Sequence, residues 1–170
     1  MQSITPCLWF DRQAEEAMNF YVSVFQGSPL KEAQDSEIKT IKRYPDDMQL
    51  GPAEDMAGKV ITGIFHLAGQ RFMALDGGPF FKFSEAISFA IECESQEEID
   101  YLWESLSAVP EAEQCGWLKD RFGVSWQIFP KLLGELMSDP DPEKAGRVTQ
   151  AMLQMKKIDI PSLQRAYAME

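Results

Sequence analysis

The sequence predicts an α+β protein in which one strand–helix–hairpin module occurs twice. The same order of elements, a short apolar strand, an amphipathic helix and a hairpin, is found once before residue 78 and once after residue 84. A shift of 82 positions also relates the apolar positions of the two helices. These positions are Ala17, Phe20, Tyr21 and Val24 in the first helix and Ile99, Leu102, Trp103 and Leu106 in the second. With 170 residues, of which 45% are hydrophobic and 25% charged, the chain has the composition of a folded globular protein.

The first module starts with a buried strand over Ile4–Phe10, and Asp11 is predicted to cap the helix that follows. Residues 30–44 are polar and alternate only in part, which is typical of an exposed edge strand. The next segment, 45–59, is rich in Pro, Gly, Asp and Glu and predicts a long loop. That loop is either a binding lid or a solvated excursion, and the sequence leaves both open.

Each module ends in a hairpin. The first spans 60–76, and a tight turn at Gly69-Gln70 would place His66 opposite Met73. The second hairpin lies within 114–129. A shift of 54 positions relates Gly69 to Gly123 and Phe72 to Trp126.

The second module also carries a helix-start signal and is followed by a helical extension. Ser95 and Glu98 have the spacing of a capping box after a strand over Ser88–Glu94. In the extension, Met152 and Met155 form an apolar stripe, which is typical of core or dimer packing. The expected boundaries are 1–130 for the domain, about 3–78 and 84–130 for its two modules, and 131–170 for the extension.

Charge and cysteine content exclude several classes of partner. The chain has 16 basic and 27 acidic residues, a formal net charge of -11, whereas a protein that binds phosphates needs an excess of positive charge. Nucleic acid and anionic membrane surfaces are therefore not expected partners. Cys7, Cys93 and Cys115 lack CxxC spacing and predict reduced thiols. No signal peptide or membrane-spanning run is found, so we expect a cytoplasmic protein.

Several motifs give the duplicated module a family resemblance. They are CLWFD at 7–11, AEEA at 14–17, FHLAGQRFMAL at 65–75, GGP at 77–79 and CGWLKDRFGVSWQI at 115–128. Over about residues 3–130 the chain resembles the PhnB-like branch of the vicinal oxygen chelate superfamily, which has the glyoxalase/bleomycin resistance fold. The resemblance implies two βαβββ modules that curve into a half-open barrel, and a homodimer. Members also bear the label 3-demethylubiquinone-9 3-methyltransferase, but the sequence has no Gly-rich strand-to-helix turn followed by an acidic ribose ligand, as an adenosyl-binding Rossmann unit would require.

The resemblance also implies where a metal would bind. Enzymes of the superfamily hold a divalent cation with His or Glu from four strands, and the corresponding positions here are Ile4, Met73, Ala86 and Gln127. Three of these side chains cannot bind a hard cation, and the fourth has only a neutral carbonyl. We therefore expect no superfamily-type metal and no cofactor.

Strand alternation predicts a face of mixed polarity that suits a small organic ligand. Its candidate ligand-binding residues are His66, Met73, Ser88, Glu92, Leu118 and Gln127. Trp9 and Trp117, near strand ends, are candidates for covering a bound molecule. The leading hypothesis is a metal-free protein that binds a small organic molecule in its concave cleft.

Two alternatives remain open at the level of the sequence. The first is an enzyme of lyase, isomerase, dioxygenase or transferase type. It would use His66 and Glu92 as an acid–base pair, or a metal at non-family positions. A strand histidine satisfied by a backbone or carboxylate partner would explain His66 without catalysis. The second alternative is a structural dimerisation module. The identity of the ligand and the role of the 45–59 loop do not follow from the sequence.

Overall fold

The computed structural model describes residues 4–46 and 56–169. Within these residues the chain is a mixed α+β protein with a four-stranded sheet, a three-stranded sheet and five α-helices. It divides into two compact units, Met1–Lys82 and Phe83–Glu170. Most of the predicted 45–59 loop falls on 47–55, outside the described residues. Of the described helices, none is both long and apolar enough to cross a bilayer.

The first unit contains the strand, helix, edge strand and hairpin predicted for module one. Its elements are β1 (Cys7–Phe10), α1 (Ala14–Gln26), a 3-10 turn (Lys31–Ala33), β2 (Glu37–Arg43), β3 (Val60–Leu67) and β4 (Gln70–Asp76). The strand order is β1-β4-β3-β2, with β1 parallel to β4 and the other pairs antiparallel. The predicted edge strand is confirmed, since β2 is outermost and its charged side chains are exposed.

The first hairpin turns one residue earlier than predicted. Leu67 pairs with Gln70, so the turn consists of Ala68 and Gly69, both with positive φ. Two positive φ values match the right-handed twist of the strands, and this explains the glycine. The register consequently places His66 opposite Arg71 instead of Met73. Because the shift in pairing is two positions, His66 and Met73 still share one face of the sheet.

Helix α1 is capped by a residue distant in sequence, and the expectation for Asp11 is wrong. The carboxylate of Asp76, at the end of β4, accepts a bond from Ala14 N (2.8 Å) and another from Val60 N (3.0 Å). Asp76 is 1% exposed, whereas Asp11 accepts from neighbouring Arg12 on the surface. A buried carboxylate with two backbone donors satisfies groups that water cannot reach, so this arrangement joins α1 to two strands.

The second unit repeats this plan and adds three helices. Its elements are β5 (Ser88–Cys93), α2 (Gln96–Leu106), a 3-10 turn (Pro110–Ala112), β6 (Trp117–Lys119), β7 (Ser125–Pro130), α3 (Lys131–Met137), α4 (Pro142–Leu153) and α5 (Ile160–Ala168). The strand order is β5-β7-β6, with β5 parallel to β7 and β6 antiparallel, as in β1-β4-β3. The capping motif is also present: Ser95 Oγ accepts from Glu98 N, although the Glu98 carboxylate accepts from Glu94 N and not from Ser95.

The two cores explain the matching helices. All four of the predicted apolar positions on α2 are buried, and so are three of the four on α1, Phe20 being half-buried. In the first unit, Tyr21 of α1 stacks on Phe65 with ring centroids 6.5 Å apart. In the second unit, Leu118 lies opposite Trp126 and is 1% exposed. Leu118 therefore belongs to the buried side of its sheet, and its expected place on the ligand-binding face is corrected.

The C-terminal extension contacts the segment that precedes β6. In the described part of the second unit, no strand pairs with the outer side of β6. The preceding segment bonds to that side, since Ala108 N donates to Lys119 O and Gln114 N to Trp117 O. The extension bonds to the residues before β6: Cys115 N donates to Met155 O and Gly116 N to Lys156 O, both at 2.8 Å. The extension has its own buried cluster, against which Met152 and Met155 pack; its members are Leu133, Val148, Ile158 and Leu163.

Candidate functional site

The face of the second sheet opposite α2 carries two rows of side chains that run across its three strands. In the first row, Ser125 of β7 has Ser88 of β5 on one side and Lys119 of β6 on the other. The second row, two residues further along the strands, consists of Ala90, Gln127 and Trp117. Because paired residues on neighbouring strands point to the same side, these six side chains share one surface. We call it the open face of the second unit.

Hydrogen bonds within the open face are sparse. Gln127 Nε2 donates to Ser88 Oγ at 2.8 Å and links the two rows. Ser125 is 2% exposed, and its Oγ has no hydrogen-bond partner among the described residues. A buried hydroxyl without a partner is uncommon and calls for an explanation.

An ion pair lies at the rim of the open face. The Lys119 ammonium donates to the carboxylate of Glu85, a residue just before β5. This hydrogen bond lowers the pKa of Glu85, with a further contribution from the positive charge of Lys119. The Glu85 side chain is 62% exposed and the Lys119 side chain 23%, so the carboxylate contacts the ammonium from the solvent side.

Asp120 determines the register that brings Lys119 beside Ser125. Its Oδ2 accepts from Trp126 Nε1 at 2.8 Å, and its Oδ1 accepts from the backbone of Phe122 and Val124. Asp120 is 1% exposed, and these bonds hold the five-residue connection between β6 and β7. Position 120 is therefore structural and supports the site without facing it.

The predicted residues of the second unit divide between the two sides of the sheet. Ser88 and Gln127 are in direct contact on the open face. Glu92 is on the same side but further along β5, opposite Phe129, and is exposed. Lys119 was not among the predicted residues, and the register of the short strand β6 carries little signal in the sequence. Ser125 was not among them either, although its alternation with Gln127 along β7 indicates that the two side chains lie on the same side.

The corresponding face of the first unit holds His66 and Met73. His66 has Arg71 on one side and Glu37 on the other, while Met73 lies one row away. The carboxylate on the neighbouring strand is thus that of Glu37, which accepts from the Lys39 ammonium. Glu92, the predicted acid–base partner of His66, belongs to the other unit.

The Gly77-Gly78 motif packs against Trp9. Trp9 Nε1 donates to Gly78 O at 2.9 Å, and a Cβ at Gly77 would come within 2.1 Å of the indole ring. Phe81 contacts the same ring edge-on, with ring centroids 4.9 Å apart. Gly77 is required by the close approach of Trp9, and Gly78 by its φ of +82°. This use differs from that of phosphate-binding glycine-rich loops.

The described residues provide few groups suited to metal binding or to reaction as a thiol nucleophile. Of the positions that the resemblance aligns with metal ligands, Ile4 is 96% exposed, and Ala86 is also exposed. No group of three or more His, Cys, Asp or Glu that could hold an ion occurs in residues 4–46 and 56–169. Burial raises the pKa of Cys93 to about 12, with help from Glu98 and Glu92, and burial also raises that of Cys7. Both thiols are consequently poor nucleophiles near neutral pH.

With this geometry established, comparisons identify the family. Residues 2–129 match the family model described as 3-demethylubiquinone-9 3-methyltransferase. The chain belongs to this family. The PhnB protein from Bacillus cereus is 38% identical, and the match covers 76% of this chain and 99% of that chain with a TM-score of 0.59. The family is accordingly called PhnB-like below.

A more distant structure agrees on the fold alone. A protein from Pseudomonas aeruginosa is 19% identical, over 76% of this chain and 98% of that chain, with a TM-score of 0.56. No curated protein matches the chain. The family match ends at residue 129, so the extension that packs on the second unit lies outside it.

Proposed function

We propose that this PhnB-like protein binds a small organic molecule on the open face of its second unit and does so without a metal ion. The observation that carries the proposal is the contact between Gln127 and Ser88 beside Trp117. Position 127 is where the resemblance implies a metal-binding glutamate. An amide that donates to a serine hydroxyl is neutral and recognises polar atoms through hydrogen bonds.

The composition of the open face supports binding of a molecule with both polar and apolar parts. Gln127 and Ser88 supply hydrogen-bonding groups, and half-buried Trp117 supplies an apolar aromatic surface. Ligand sites in proteins combine apolar surface with a few convergent polar groups in this way. The concave cleft and homodimer implied by the resemblance stay predictions, and a light-scattering mass of the purified chain tests the dimer.

The family description does not by itself extend to methyl transfer. An adenosylmethionine site of the Rossmann kind needs a glycine-rich turn between a strand and a helix. In this chain Gly77 and Gly78 follow β4 but pack against Trp9. We therefore base the proposal on the open face and not on the name of the family.

The test is to map binding on the full chain with a fragment library that includes neutral, acidic and basic compounds. Backbone amide NMR signals of the two rows should shift, and the Gln127→Leu variant should lose this response. Gln34→Leu is the matched control, because Gln34 is an exposed glutamine of the other unit. A library in which no compound perturbs Ser88, Gln127 or Trp117 at millimolar concentration would refute the proposal.

A second candidate function is acid–base chemistry at His66. The specific observation is that Glu37 and Arg71 flank the imidazole on neighbouring strands, so a carboxylate is within one strand of it. Under this hypothesis His66→Gln abolishes turnover of a substrate. Under the leading proposal it leaves binding on the open face of the second unit unchanged.

A further inference from the structure

Three hydrogen-bond donors lie in one row of the open face. Ser88 and Ser125 carry hydroxyl groups, and Lys119 carries an ammonium, on three adjacent strands. Neighbouring strands are about 4.8 Å apart. A row of donors with this spacing is suited to a group that has several acceptor oxygens and a negative charge.

The middle donor has no partner in the protein. Ser125 is 2% exposed and its Oγ makes no hydrogen bond to any described residue. Leaving a buried hydroxyl unpaired costs free energy, and an apolar side chain of similar size at this position would avoid the cost. An external acceptor at the row would explain why a hydroxyl is present.

The Lys119 ammonium, at one end of the row, already contacts the Glu85 carboxylate, which a carboxylate of another molecule can replace. Glu85 approaches Lys119 from solvent and is itself 62% exposed, so it loses little if it returns to water. A carboxylate from another molecule would then replace it on the same ammonium. The chain has a net charge of -11, which disfavours anions in general. In the exchange, however, Lys119 stays paired with one carboxylate, and the displaced Glu85 carboxylate is hydrated.

The second row provides for the rest of such a molecule. Ala90 and Trp117 flank Gln127 with a methyl group and an indole ring. An apolar or aromatic body attached to a carboxylate in the first row would lie over these groups.

We propose that the molecule bound on the open face is a small organic acid with an apolar or aromatic body. Its carboxylate accepts hydrogen bonds from Ser125 and Lys119 in the place of Glu85, and its body packs on Trp117. This inference rests on the proposed function, because it names the class of ligand for the same site.

The experiment compares 3-phenylpropionate with 3-phenylpropan-1-ol, its neutral counterpart, by NMR titration of the full chain. The acid should bind at least about tenfold more tightly, since hydrogen bonds to charged groups are the stronger ones. Lys119→Met should remove that preference, and Ser125→Ala should weaken acid binding about threefold to tenfold. Glu85→Gln should instead increase the affinity for the acid about threefold, because it removes the competing carboxylate.

Lys39→Met is the matched control, since Lys39, like Lys119, is a strand lysine paired with a glutamate, but it belongs to the first unit. It should leave the affinity for the acid unchanged. Equal affinity of the acid and the alcohol, with shifts at both rows, would overturn the carboxylate assignment and leave the proposed function in place. An affinity for the acid that neither Lys119→Met nor Glu85→Gln changes would also overturn the carboxylate assignment. Failure of the whole fragment library would instead refute the proposed function.

Discussion

Replacement of Asp76 by alanine should destabilise the first unit far more than replacement of Asp11, the residue that the local sequence pattern favours as the helix cap. Asp76 is 1% exposed, and its two oxygens accept from Ala14 N and Val60 N. In Asp76→Ala both N–H groups remain buried and lose their acceptor. Asp11 is exposed and bonds only to neighbouring Arg12, so Asp11→Ala removes no buried hydrogen bond.

The magnitude follows from these two hydrogen bonds. A buried donor left unsatisfied costs about 1–3 kcal/mol, and the loss of a helix cap costs about 1 kcal/mol in typical cases. We therefore expect Asp76→Ala to lower the free energy of unfolding by about 3 kcal/mol. Asp76→Asn retains one acceptor oxygen and should lose about half as much. Asp11→Ala should stay within about 0.5 kcal/mol of the parent, as surface substitutions usually do.

The assay is urea unfolding followed by circular dichroism, with amide NMR signals from β3 and α1 to assign the transition to the first unit. Asp76→Ala should shift the midpoint to lower urea without a change in slope. If Asp11→Ala proved as costly as Asp76→Ala, or if both were neutral, the assignment of the cap to Asp76 would be refuted.

Three further predictions test the conformation and electrostatics of other positions. Gly116→Ala should destabilise the second unit by at least about 1 kcal/mol, visible as a lower melting temperature, because Gly116 has a φ of +83° and a Cβ would meet a backbone oxygen at 2.7 Å. Cys7 should react with a thiol reagent at pH 8 much faster than Cys93, because Cys93 is buried and has a pKa of about 12. Two hydrogen bonds from Arg43 lower the pKa of Glu15 from 4.5. The stabilisation from this pair is therefore present above pH 4.5 and is lost as the pH falls below it, and Arg43→Met should reduce that dependence in acid unfolding.

Two of these predictions have a control variant within the chain, and in the third Cys7 is the comparison for Cys93. Gly134→Ala lies in α3 with no atom within 4 Å of the added Cβ, so it should be neutral or stabilising. Lys42→Met removes an exposed positive charge of the same strand as Arg43 and should leave the acid transition in place. Rapid labelling of Cys93 in the folded protein, or an unchanged melting temperature in Gly116→Ala, would contradict the structure.

Local patterns predicted the repeated architecture because they depend on neighbours along the chain. The helical spacing that relates Ala17 to Ile99 and Tyr21 to Trp103 corresponds to α1 and α2, and all four side chains are buried. The hairpins and the edge strand also followed from alternation and turn residues. These features need no knowledge of which strands pair.

Features that depend on pairing could not be predicted in the same way. The cap of α1 comes from Asp76, 62 positions away, and the position of Leu118 depends on a register held by Asp120. Alternation alone does not specify which side of a three-residue strand is buried, so Leu118 was assigned to the ligand-binding face. Lys119 was missed for the same reason. That it lies beside Ser125 follows only from the pairing of β6 with β7.

If the open face binds an organic acid as proposed, the extension should limit the length of its body at Phe129. Two residues beyond Gln127 on the same side of β7, Phe129 packs against the cluster that includes Leu133 and Val148. The third row is therefore contacted by the extension at Phe129, whereas Glu92, its member on β5, is exposed. Successive rows on one side of a strand are about 7 Å apart. A molecule whose carboxylate lies beside Ser125 therefore has room for about one ring over Trp117 before it reaches Phe129. A homologue without the extension would leave Phe129 uncovered, so a longer acid should bind such a homologue more tightly than it binds this chain.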